Sequence, residues 1–289
     1  MTDGSRWALL TFGAGLPNWR AAAVRLGRQA QQVGWFDPVI VLTDKDLRSQ
    51  HPDFANRHKG ILSARTRGYG YWIWKSYLIG EVWRSIRSTH AGLFYLDGGC
   101  QLNDASHAAL ERWNHYLSLA QESGVFAMHL PDHPEERWSR TATMDRIGLP
   151  PDARRTPQIQ GGIVAITRRG ADLVDEWQTI AAEDNYEFLR DSMRNEANAE
   201  GFLEHRHDQA IFSGLMKKSG IDTIPDETFW APDWSERGHQ YPIWAARNRT
   251  RVSIEARDPR SRLIRVAEKT YSRAYGSAVR GISRLHDAV

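Results

Sequence analysis

Asp97 ends an apolar run, Leu93-Phe94-Tyr95-Leu96, and is followed by Gly98 and Gly99. A carboxylate at the end of a buried strand, with glycines that let other groups approach, is placed to hold a hard cation and through it a diphosphate. The same residues also suit an ordinary strand-end turn. Upstream stands Arg67-Gly68-Tyr69-Gly70-Tyr71-Trp72-Ile73-Trp74-Lys75. Its two cations, its aromatics and its Gly-x-Gly step suit a phosphate at a helix start and a base or sugar against ring faces. Core packing accounts equally for part of that aromatic content.

A third group is Glu204-His205-Arg206-His207-Asp208-Gln209, polar throughout, at the head of an apolar helical pattern. Asp208 there is either a helix cap or a proton acceptor. The imidazoles are either solvated or turned to a metal or phosphate. A fourth is Gln158-Ile159-Gln160-Gly161-Gly162, whose alternating amides are typical hydroxyl readers or, equally, register-setting polar groups.

The elements that must position these groups follow from periodicity. Trp7–Phe12, Val39–Thr43, Leu93–Asp97, Val125–Leu130 and Gly162–Thr167 read as strands. Leu16–Val33, Tyr71–Arg87, Ser106–Glu122, Gly170–Ala182 and Asp208–Lys218 read as helices, with Pro17 and Gly34 bracketing the first. Ile221–Pro225 reads as a short strand, 183–200 as an acidic surface excursion and 226–250 as an ordered loop region. This order predicts an α/β fold, a mostly parallel sheet flanked by helices, and ligands bind beyond the carboxyl ends of such strands. Asp97 lies at one of those ends.

Composition fits a globular chain. Of 289 residues 41% are hydrophobic, with no run long enough to span a membrane and no leader-like start. The single cysteine rules out an internal disulfide and suits a reducing, cytoplasmic setting. Most of the twelve tryptophans are expected in the core. Residues 255–289 hold eight Arg/Lys and four Asp/Glu, a net of +4, so the other 254 residues carry −1 of the total +3. The basic character therefore belongs to the tail and is no nucleic-acid footprint. The tail interleaves Arg262, Arg265, Lys269, Arg273 and Arg280 with Ile264, Val266, Tyr271 and Val279. It reads either as a basic amphipathic helix on the anionic inner face of a plasma membrane, or as a helix packed on the domain. The expected division is residues 1–254 and 255–289.

Six segments occur in one order: 67–75, Tyr-Leu-Asp-x-Gly-Cys at 95–100, Glu-x-x-Trp-Ser-Arg at 135–140, Gln-Ile-Gln-x-Gly at 158–162, His-Arg-His-Asp-Gln at 205–209 and Ile-Trp-Ala-Ala-Arg at 243–247. Together they resemble a bacterial family of GT-A (Rossmann-like) glycosyltransferases of surface polysaccharide synthesis, some of them galactofuranosyltransferase-like. The resemblance implies a nucleotide-sugar donor, most often UDP-linked, a glycan or lipid-linked acceptor, and a divalent cation, Mn²⁺ or Mg²⁺. It implies that Thr11, Phe12, Arg67, Tyr71, Trp74, Lys75, Gly98, Gly99, Gln160, Gly161, His205 and His207 border the donor, with Asp97 and His207 on the cation. Asp97 takes the place of the first acid of Asp-x-Asp. The second acid is replaced by Gly99, which leaves one carboxylate and weakens the cation site.

Inverting transfer also needs a base for the acceptor hydroxyl. Asp208 is the first candidate, followed by Glu136 and Asp145. Two alternatives remain at this level. A nucleotidyltransferase usually carries a cation straight after the first glycine loop, where Leu16 and Pro17 stand here. A non-catalytic carbohydrate-binding protein would use tryptophan faces without nucleotide affinity.

Overall fold

The computed structural model describes residues 6–193, 196–228, 231 and 233–248. In chain order the strands are β1 (Trp7–Gly13), β2 (Val39–Thr43), β3 (Gly92–Leu96), β4 (Gln101–Leu102), β5 (Val125–Phe126), β6 (Met128–Pro134), β7 (Pro157–Ile159), β8 (Ile163–Ile166), β9 (Ile224–Pro225) and β10 (Ile243–Trp244). The longer helices are α1 (Pro17–Val33), α2 (Trp74–Ile86), α3 (His107–Ser123), α4 (Ala171–Ala182) and α5 (Asp208–Lys218).

Five strands form the central sheet in the order β2-β1-β3-β8-β5. β1 is parallel to β2 and β3, while β8 runs antiparallel to both β3 and β5. The sheet is thus mostly parallel, as expected, with one reversed strand. Strand alternation divides its side chains between two cores. Leu10, Phe12, Leu93, Tyr95, Val164 and Ile166 face one core, shared with Trp74, Trp83, Trp177 and Phe212 of α2, α4 and α5. Trp7, Leu9, Phe94, Leu96, Ile163 and Ala165 face the other, shared with Leu26 of α1 and Trp113 of α3. Most tryptophans are accordingly core residues. A fully buried side chain of this kind contributes on the order of 2–3 kcal/mol.

Four expected segments come out differently. The strand at Val125–Leu130 divides: β5 stays in the central sheet, and β6 leaves it to form a second sheet in the order β7-β6-β9. Only Ile224–Pro225 of the short strand pairs, parallel to β6. The helix expected from Tyr71 begins at Trp74, because Gly68, Tyr69, Gly70, Tyr71 and Trp72 all hold positive φ, from 54° to 100°. The 183–200 segment is not a mere surface excursion. Its Leu189 is fully buried, and its Glu187 and Glu196 both pair with the buried Arg140. The tail at 255–289 lies outside the described residues.

Candidate functional site

The carboxyl edge of the sheet gathers three of the sequence segments around one ammonium. Lys75, in the first turn of α2, is buried and its Nζ donates to the Gly161 carbonyl at 3.0 Å. The same nitrogen lies 2.8 Å from Asp208 Oδ2 and 3.5 Å from Asp97 Oδ1. Asp97 follows directly on β3, and its amide donates to the Gly162 carbonyl at the head of β8. Asp208 opens α5. Topology therefore converts three distant stretches into one Asp–Lys–Asp cluster.

The two carboxylates differ. Asp208's side chain is 5% exposed and Asp97's is 43% exposed. Tyr95 donates its hydroxyl to Asp97 Oδ1 at 2.6 Å, and burial, with Asp97 beside it, holds the phenol well above its usual pKa. Burial pushes Asp208 up to about 6, Lys75 partly offsets this, and Asp97 adds to it. Burial opposes the charge on Lys75, but Asp208 and Asp97 outweigh it and hold the ammonium above its ordinary value. The outcome is a buried cation with one enclosed and one solvent-facing acid.

The loop that presents Asp97 is fixed from below. Arg25 of α1 donates to the carbonyls of Gly98 and Cys100 at 3.0 and 2.8 Å. A Cβ on Gly98 would stand 3.0 Å from the Ala23 nitrogen, and one on Gly99 would stand 3.0 Å from the Arg247 Cα. These glycines therefore allow close packing of backbone on backbone.

Within the 67–75 segment, residues 68–72 form a left-handed turn. Non-glycine residues in that region cost about 1–2 kcal/mol each, and Tyr69, Tyr71 and Trp72 are all there. Such strain persists only where the surroundings impose it. The Tyr71 amide closes on the Arg67 carbonyl at 2.7 Å, the Trp74 indole donates to the Gly68 carbonyl at 3.0 Å, and Arg48 holds the Tyr69 hydroxyl at 2.8 Å. The turn lays Tyr71 against the His207 ring at 4.9 Å and Trp72 at 5.7 Å. His207 is itself at φ 52°.

Several expected donor-binding residues have other duties. Thr11 is wholly buried in β1, and Phe12 packs on the buried Trp74 at 4.2 Å. His205 uses both ring nitrogens on backbone: Nε2 donates to the Phe188 carbonyl at 3.0 Å, and Nδ1 accepts from the Arg140 amide at 3.2 Å. Burial lowers its pKa to about 3, so it is neutral. The Gln160 amide donates to Asp226 at 3.2 Å. Gly161 contributes its carbonyl to Lys75. Asp145 is on the surface, paired with Arg154 at 2.7 Å. Glu136 is half-buried on the short helix Glu135–Trp138. Its neighbour Glu135 is the wholly buried acid, bound by Ser139, Ser213 and Lys217.

The described residues do not fit a divalent cation held by the protein alone. Asp97 Oδ1 already serves Tyr95 and Lys75, and Asp208 Oδ2 serves Lys75. His207 donates Nδ1–H to the Leu189 carbonyl at 2.8 Å, so its lone pair is at Nε2, 3.5 Å from Asp191. Among the described residues no three His, Cys, Asp or Glu groups converge, so a cation here would depend on phosphate oxygens and waters for most of its ligands.

Arginines rim the site: Arg67, expected beside the donor, and Arg206 and Arg247, which stand inside quoted segments but were given no role at the level of sequence. Arg206 lies over the Trp138 ring at 4.3 Å and pairs with Glu204 at 3.0 Å, and Arg67 meets the same carboxylate at 3.3 Å. Burial lowers Arg206 to about 10, Glu204 opposes this, and Arg247 and Arg67 reinforce it. His133, tilted against the Trp138 ring at 4.8 Å, is lowered to about 4 by burial and then by Arg206. A separate cleft of about 620 Å³ lies between Phe54, Tyr77 and Thr179 and meets the 67–75 segment only at Ile73.

No family model matches the chain, and no curated protein matches it. Among solved structures it is similar to a glycosyltransferase involved in the glycosylation of the major capsid of PBCV-1, at 9% identity and a TM-score of 0.44, over 82% of this chain and 92% of that one. It is also similar to mouse xyloside xylosyltransferase 1 in its apo form, at 12% identity and a TM-score of 0.42, over 86% of this chain and 100% of that one.

Proposed function

We propose that this chain is a GT-A-type glycosyltransferase that moves a sugar from a nucleotide-sugar donor, UDP-linked, to a hydroxyl of a glycan or lipid-linked acceptor, with inversion. The observation that carries it is the buried Lys75 ammonium held between Asp97 and Asp208 at the carboxyl edge of a mostly parallel sheet. The donor class rests on the six ordered segments of the sequence.

In this reaction the acceptor oxygen bonds to the anomeric carbon, the bond from that carbon to the diphosphate oxygen breaks, and the hydroxyl proton passes to a carboxylate. Asp97 is the solvent-facing acid of the pair and receives that proton. Asp208, expected from sequence to be the base, holds Lys75 in place, and Lys75 keeps the two acids together. A positioned base of this kind is worth about 10²–10⁴-fold in rate.

The test is a transfer assay with a panel of radiolabelled nucleotide sugars, followed by Asp97→Asn and Asp208→Asn on the best donor. We expect a loss of about 10²-fold or more for Asp97→Asn, in line with removal of a general base. Full turnover by both variants would remove the cluster from the mechanism.

A further inference from the structure

We propose that the donor's diphosphate is held by the guanidinium groups of Arg67, Arg206 and Arg247, with no divalent cation between it and the protein. This deepens the transferase reading and rests on it for the identity of the ligand. The three arginines come from three segments that all border the acid cluster. Arg67 precedes the left-handed turn that leads into Lys75. Arg206 stands two residues before Asp208. Arg247 lies with its Cα against Gly99, two residues beyond Asp97.

The side chains of Arg206 and Arg67 are set in advance. Glu204 takes Arg206 on Oε1 at 3.0 Å and Arg67 on Oε2 at 3.3 Å, which fixes both guanidinium groups on one carboxylate. Trp138 backs Arg206 at 4.3 Å and fixes the plane of its guanidinium. Planar guanidinium groups bind phosphate oxygens through paired N–H donors, and a stacked one loses less freedom on doing so. Arg206 already feels the positive charge of Arg67 and Arg247, so an anion among them relieves a repulsion the fold otherwise sustains.

The cation expected from sequence has no comparable seat among the described residues. Lys75, also expected to meet the diphosphate, is turned inward to Asp208, Asp97 and the Gly161 carbonyl. The outcome is a division of labour: arginines for the anion, and Asp97 left open for the proton.

The experiment is calorimetric titration of the full chain with inorganic pyrophosphate, in EDTA and again with excess Mn²⁺. Binding in EDTA, within about twofold of that with Mn²⁺, is expected. Arg247→Gln, at an exposed position, is expected to weaken it about tenfold, as loss of a hydrogen bond to a charged group does. No binding in EDTA, binding at least tenfold tighter with Mn²⁺, or an unchanged affinity in Arg247→Gln each overturns the proposal. Sugar transfer plays no part in this titration. A chain that binds pyrophosphate without metal yet transfers nothing refutes the transferase reading and leaves the arginine site standing.

Discussion

Lys75 is the single residue on which most of the site depends. Its ammonium offsets the charge of an enclosed acid, and removing one partner of a buried pair costs about 3–5 kcal/mol because the other is stranded. Lys75→Met is therefore expected to lose that much in urea unfolding. Adding Asp208→Leu should return a large part of the stability and none of the activity. Asp226 tests burial in another way. Burial pushes it up to about 6, although Thr228 and Gln160 both donate to it. Its folded pKa lies above the ordinary carboxylate value, so between the two the folded chain keeps a proton that the unfolded chain has released. Stability thus falls as pH rises from about 4 to about 6, and stays lowered above that. Asp226→Asn keeps the acceptor oxygen and abolishes the charge. We expect it to gain on the order of 1–3 kcal/mol at neutral pH and almost nothing near the bottom of that window, measured by denaturant unfolding at both ends.

At the scale of elements, the left-handed turn at 68–72 decides where Tyr71, Trp72 and Lys75 point. Gly68 is its most constrained position: φ is 59°, and a Cβ there would stand 2.2 Å from the Trp72 ring. Gly68→Ala should displace Trp72 from His207, cost about 1–3 kcal/mol in thermal unfolding, and weaken nucleotide-sugar affinity. Retention of both stability and affinity would show that the turn has no part in the site. The 183–200 segment matters at the same scale. Through Leu189 it fixes the His207 tautomer, and through Glu187 and Glu196 it holds Arg140. Composition alone makes that stretch look like solvated loop, because its acids find their partners only in three dimensions.

At the scale of the molecule, no helix among the described residues is long and apolar enough to cross a membrane. The stretch expected to attach the chain peripherally is the basic 255–289 segment, whose net charge is +4. We expect the full chain to co-sediment with anionic liposomes and a chain ending at Asp258 to do so markedly less, since each basic residue near such a surface adds about 1 kcal/mol. Equal partitioning of the two would dismiss the attachment.

The sequence by itself determined the strands of the central sheet, the five main helices and the position of Asp97 at a strand end. Those features are encoded locally, in apolar periodicity and in glycine and proline placement. It also marked the segments that meet at the site. Tertiary structure alone decided what each marked residue does. Alternation along β1 sent Phe12 to the core beside Trp74, and the antiparallel entry of β8 put the Gly161 carbonyl over Lys75. Packing against α1 and Arg247 accounts for Gly98 and Gly99. The choice between an acid that binds a cation and an acid that binds a lysine depends on contacts between residues 22 and 133 positions apart in the chain, Lys75 with Asp97 and with Asp208. Local pattern carries no signal of such distant pairing.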